Sequence, residues 1–146
     1  MDNDLYSQQI LQLCADVPRV GRLALAQGSA TKHSKLCGST ITVDVKLEER
    51  RVSDFAMETE IDALGKAAAS FLARHVIGKN LSELNRLRDA MKAMLESNGP
   101  PPEGEWAPLK MFESVRAYPA RHASLLLPFD ALVAAVEVAA KKAEVI

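Results

Sequence analysis

The sequence predicts an α+β domain in which a small antiparallel sheet packs against helices, with further helices at the N-terminal and C-terminal ends. Two observations on pattern predict it: apolar residues alternate strictly over Thr40–Leu47 and again from Val52 to Ile61, and a helical apolar period flanks that pair on both sides. A third is size. The 146 residues, 48% hydrophobic and 25% charged, suit one domain over 1–146 with a genuine core.

From Asn3 to Val17 the apolar residues Tyr6, Ile10, Leu13, Cys14 and Val17 form a helical stripe, with Asn3 or Asp4 available as cap and Pro18 after it. Gly21 to Leu36 mixes Gly, Ser, Thr and Lys without a period and is expected to be a connecting loop that delivers the chain to Cys37-Gly38. In the first strand Ile41, Val43, Val45 and Leu47 share one face, the run Glu48-Glu49-Arg50-Arg51 supplies a turn, and Phe55, Met57 and Ile61 continue the pattern in a second strand. The two make a hairpin.

The period changes at about Ala63. Leu64, Ala68, Phe71, Leu72 and His75 fall on one face of an alanine-rich helix that ends at Gly78. Asn80, followed three residues later by Glu83, forms a capping box, and Leu81, Leu84, Leu87, Met91, Met94 and Leu95 give the next stripe before Gly99-Pro100 stops it. Pro100–Gly104 is a stiff loop, after which Trp106, Leu109, Met111 and Phe112 anchor an irregular segment. Leu125 to Lys142 makes a last, alanine-rich helix with Lys141 and Lys142 at its C-terminal end, and Pro128 is expected within its first turn.

Several functions are excluded by composition. The 18 basic and 19 acidic residues leave a net charge of −1, with no field suited to nucleic acid. Met1–Leu5 carries Asp2 and Asp4 and no basic-flanked apolar run, so neither a secretory nor a transit signal is expected; no apolar segment is expected to span a membrane, and a cytoplasmic protein is the expectation. Cys14 and Cys37 are read as thiols. No nucleophile elbow, zinc-protease helix or phosphate loop is present, so the chain is not expected to be an enzyme.

Three residues at element ends are able to carry chemistry. Cys37 precedes the first alternating strand and is followed by Gly38, which lets a ligand approach the backbone; its other reading is a small buried hydrophobe. Asp62, at the strand-to-helix junction, is a ligand or an N-cap. His122, just before the last helix, is a metal ligand or a solvated surface residue. Cys14 is read as core, His75 as structural, and His33 as a loop residue without a partner.

The order of Leu5-Tyr6-Ser7, Cys37-Gly38-Ser39, Leu64–Ser70, Gly78-Lys79-Asn80-Leu81 and Tyr118-Pro119-Ala120-Arg121 resembles the NifU/IscU/SufU-type iron–sulfur cluster scaffolds from about Leu5 to Ala140. The resemblance implies a SufE/NifU-like fold. It also implies three cysteine positions at one end of the domain, where a nascent cluster, iron or zinc binds. The first matches Cys37, the second falls on Asp62 and the third on Ser124, while the Asp usual two residues after the first is Ser39. One thiolate of three is therefore present. The ligand set expected is Cys37, Asp62 and His122, holding a labile cluster shared between two subunits of a homo-oligomer, or zinc. The partners implied are a cysteine desulfurase and apo iron–sulfur acceptor proteins. Two alternatives stand beside this: an interaction protein that keeps the desulfurase-binding surface without metal, and a sulfur acceptor carrying a persulfide on Cys37.

Overall fold

The computed structural model describes residues 6–35 and 38–144. Within it the elements run α1 (Gln8–Ala15), β1 (Gly28–Ser34), β2 (Ser39–Glu48), β3 (Arg51–Glu60), α2 (Ala63–His75), α3 (Leu81–Glu96), a 3-10 stretch (Gly104–Ala117), a short 3-10 turn (Pro119–Arg121) and α4 (His122–Glu144). The sheet is antiparallel in the order β1-β2-β3.

Register divides the sheet into two chemically distinct faces. Ala30 stands opposite Val43 and Val43 opposite Met57, while Val45 stands opposite Phe55, so that the apolar side chains share the face covered by helices. On the other face Thr31 pairs with Thr42 through a hydroxyl–hydroxyl bond of 2.8 Å, and His33 Nδ1 meets Thr40 Oγ1 at 3.0 Å. Asp44 also lies there, buried under residues 22–23. Its carboxylate accepts Arg22 Nε at 2.7 Å, Arg22 Nη2 at 3.1 Å, Ser29 Oγ at 2.7 Å and the Leu23 N–H at 3.0 Å. Burial alone would push this carboxyl up, but those donors outweigh it and hold it below the usual carboxylate range.

The hairpin forms as expected, and its turn is a two-residue one in which Glu49 (φ +52°) and Arg50 (φ +66°) are both left-handed, the type I′ geometry that matches strand twist. The Asn80–Glu83 capping box is present, with Glu83 N–H donating to Asn80 Oδ1 at 2.8 Å. In α2, Ala67, Ala68 and Ala69 are all fully buried, because the helix is covered by α1, α4 and the sheet at once.

Four expectations are corrected. The first helix begins at Gln8, capped by Ser7, whose Oγ accepts the Ile10 N–H; Asn3 and Asp4 lie outside the described residues. The stretch expected to be a loop contains β1. Its core-facing positions are small because α4 passes directly over them: a Cβ on Gly28 would lie 2.0 Å from the Ala135 carbonyl oxygen. Pro128 sits in the second turn of α4, inside the helix. Finally, Pro119–Ala143 is long and apolar enough to cross a membrane by length and composition, at mean hydropathy 1.8, but 67% of its most apolar stretch is buried within the protein. Its apolarity serves the core, where Leu125, Phe129, Leu132 and Val136 pack under the sheet.

Candidate metal-binding end

The expected chemistry gathers at one end of the sheet. Glu60, the last residue of β3, pairs with Thr40, and two residues later Asp62 caps α2. The β1–β2 connection closes at the same end, where Ser34 pairs with Ser39. Cys37 falls in that connection and lies outside the described residues. Gly38, next to it, has φ +67°, a left-handed backbone that suits a residue without Cβ.

Asp62 and Ser124, 62 positions apart in the chain, are in direct contact. Asp62 Oδ1 accepts the Gly65 N–H at 3.0 Å and the Ser124 hydroxyl at 2.7 Å, while Oδ2 faces Arg121 Nη1 at 3.4 Å. Ser124 is fully buried. Two backbone features allow this approach. Gly65 has no Cβ to strike α4, where one would stand 2.8 Å from the Ser124 carbonyl oxygen and 3.0 Å from its Oγ. Pro128 has no N–H to give that carbonyl, so the helical bond from residue 128 back to Ser124 is absent. Asp62 is thus an N-cap, as one of its two readings held, and its second oxygen still faces outward.

His122 is directed away from solvent. Its Nε2 lies 2.9 Å from the Val115 carbonyl oxygen and 3.3 Å from that of Arg116, so this nitrogen carries the proton and donates, tying the 3-10 stretch to the start of α4. Only Nδ1 keeps a lone pair. His75 stacks on Phe71 at 4.1 Å between ring centroids, and His33 is a cross-strand partner of Thr40.

Cys14 and Arg121 are residues at this end that local sequence patterns do not single out as chemical. The Cys14 thiol donates to the Ala63 carbonyl at 2.8 Å, one residue from Asp62. Burial pushes the thiol up and the Asp62 charge adds to that against Lys66 and the Ala67 N–H, so it is held as a protonated donor and not as a thiolate. No local signal marks this contact, which joins residues 49 positions apart. Arg121 belongs to the Tyr118–Arg121 run already noted.

Among the described residues no three His, Cys, Asp or Glu side chains come together as a metal cage. Asp62 Oδ2 is the oxygen donor this end offers; Ser124 is neutral and its proton is committed to Asp62. A polar cleft of about 480 Å³ adjoins the same end, lined by His33, Ser34, Arg88, Lys92 and Ala123 among others. A more apolar cleft of about 580 Å³ lies by the Glu49–Arg50 turn and shares none of these residues.

A three-stranded antiparallel sheet backed by helices is the fold this chain shares with a solved NifU-like protein. The chain belongs to the family of the NifU-like N terminal domain, whose model matches residues 5–124. Among solved structures, a nitrogen-fixing NifU-like protein (N-terminal) from Brucella abortus superposes with a TM-score of 0.94 at 48% identity, covering 97% of this chain and 98% of that one. A putative SUF-system scaffold from Fervidobacterium islandicum, 21% identical with a TM-score of 0.84 over 93% of this chain and 99% of that one, shares the fold. The iron–sulfur cluster assembly scaffold protein IscU of Thermotoga maritima is 25% identical over 133 residues, 91% of this chain and 93% of its own. That of Streptococcus pyogenes is 27% identical over 105 residues, 72% of this chain, and the match spans 66% of its length.

Proposed function

We propose that this protein serves cytoplasmic iron–sulfur cluster assembly as a scaffold-like carrier, not itself an enzyme, that takes iron, a labile cluster or zinc at the end marked by Cys37 and Asp62. The observation that carries the reading is the 2.7 Å bond between Ser124 and Asp62, which joins two of the three positions that the family resemblance marks as ligands. In this reading Cys37 is the thiolate and Asp62 Oδ2 an oxygen ligand, a donor pair acceptable to zinc and ferrous iron. His122 is left out of the set because its side chain is buried where the 3-10 stretch meets the start of α4. One thiolate per chain does not hold a cluster. A cluster cargo is therefore shared by two copies, with a cysteine desulfurase as sulfur source and apo acceptor proteins as recipients.

Anaerobic iron–sulfide reconstitution tests it, followed by iron, zinc and acid-labile sulfide analysis of the parent and Cys37→Ala. Charge-transfer absorbance and sulfide that vanish in Cys37→Ala support a cluster carrier, and zinc alone supports a mononuclear site. No metal in the parent sinks both versions. A second reading, an interaction protein without metal, is favoured by the way Asp62 and Ser124 satisfy one another; it expects capture of a cysteine desulfurase by metal-free protein and by Cys37→Ala alike.

A further inference from the structure

We propose that Arg121 is a resident counter-ion on Asp62 that an incoming divalent cation must displace, so that this one side chain sets how readily metal enters; the inference rests on the reading above, in which Asp62 is a ligand. The two oxygens of Asp62 are held very differently. Oδ1 is fixed by a backbone N–H and by the hydroxyl of fully buried Ser124, and neither donor is able to move without disturbing the start of α2 or of α4. Oδ2 meets Arg121 alone among the described residues. That contact is loose: 3.4 Å, against the roughly 2.7–2.9 Å of a tight charge-assisted bond. The Arg121 side chain is 45% exposed, and its guanidinium has no other hydrogen-bond or ion-pair partner among the described residues. Its backbone, by contrast, is set by the turn that Pro119 starts, with Arg121 N–H donating to the Tyr118 carbonyl at 2.9 Å. The guanidinium is thus delivered to the carboxylate by a fixed backbone and released into water at little cost, which describes a displaceable ion and not a structural strut.

The cost of displacement follows from that exposure. An exposed ion pair contributes up to about a fivefold bias, and the guanidinium also repels a dication at short range, so its removal tightens metal binding by about three- to tenfold. The ammonium of Lys66, in the first turn of α2, carries the same charge without pairing to either carboxylate oxygen of Asp62 among the described residues, and serves as the control for a field effect.

Zinc is the probe, titrated into full-length protein against a chromophoric chelator. Arg121→Gln is expected to bind zinc about three- to tenfold tighter than the parent. Lys66→Gln is expected to change affinity less than twofold. The gain is expected to vanish in Asp62→Asn/Arg121→Gln, where Asn keeps the helix cap and lacks the charge. Equal affinity of parent and Arg121→Gln, with zinc still dependent on Cys37, overturns the inference alone. So does a gain that survives Asp62→Asn or that Lys66→Gln reproduces. Absence of zinc from both parent and Arg121→Gln overturns the inference together with the metal reading.

Discussion

Asp44 offers a direct test of how the polar face of the sheet is held. Its side chain is 1% exposed and accepts four donors, whereas Arg22, its ionic partner, is 54% exposed and stays hydrated when the pair is broken. In Asp44→Asn one oxygen remains to accept, and an amide N–H₂ is turned toward donors. The Arg22 pair is lost, and either Ser29 Oγ or the Leu23 N–H goes without its acceptor. A hydrogen bond to a buried charged group is worth about 1.5–3 kcal/mol, and the exposed guanidinium adds little, so the substitution costs about 2–3 kcal/mol. For a chain of this length that lowers the melting temperature by about 5–10 °C. The pH dependence has a definite sign. The folded carboxyl titrates below its unfolded value of about 3.9, so its contribution is present above that pH and is lost as pH falls through the folded pKa. Denaturant unfolding of parent and variant is therefore expected to show the full gap from about pH 5 upward and a closing gap below about pH 4. A gap that persists unchanged at low pH, or none near neutrality, refutes the argument that the carboxylate and its donors hold this face.

Other perturbations separate the roles of the remaining residues. Asp62→Ala removes the α2 cap and orphans the buried Ser124 hydroxyl, at about 2–4 kcal/mol, whereas Ser124→Ala leaves Oδ1 its Gly65 donor and costs about 1 kcal/mol; urea unfolding of the two variants measures the difference. Gly28→Ala drives a methyl into the Ala135 carbonyl, and thermal melting is expected to show a loss of about 3 kcal/mol or a failure to fold, against no more than about 0.5 kcal/mol at exposed Lys32→Ala on the same strand. His122→Phe keeps the bulk and takes one of two donors from the Val115 carbonyl, which retains the Tyr118 N–H, so stability falls by about 1 kcal/mol while zinc content of purified protein is unchanged.

The parts of this fold that were legible are those whose signals are local. The hairpin announces itself because Ile41, Val43 and Val45 alternate with polar residues, and α3 because Asn80 and Glu83 form a reciprocal cap three residues apart. β1 is silent for a physical reason. Where a helix lies nearly in contact with a strand, the inward residues shrink to Gly28 and Ala30, and the hydrophobic alternation that marks strands disappears. The site divides the same way. Asp62 at a helix start is readable from its position, and its cap is a local bond. Its contacts with Ser124 and Arg121, and the approach of Cys14 to Ala63, span 49 to 62 residues and leave no trace in periodicity. His122 was ambiguous because burial decides between a surface ligand and an interior tie, and burial at a helix start depends on the segment packed against it.

The outer rim of β3 is closed at two places. Gly21 donates to the Met57 carbonyl at 2.8 Å and Met57 to that of Arg19 at 3.0 Å, while Val52 donates to Lys79 at 2.9 Å and Gly78 to Val52 at 2.8 Å. Those loops take the outward N–H and C=O of Val52 and of Met57, interrupting that rim, and the opposite rim of the sheet is β1. That rim is seven residues long and carries exposed Lys32 and His33, a combination that discourages pairing with a second sheet. A sheet of three strands thereby resists edge-to-edge pairing with a second copy of itself and growth into a fibrous stack.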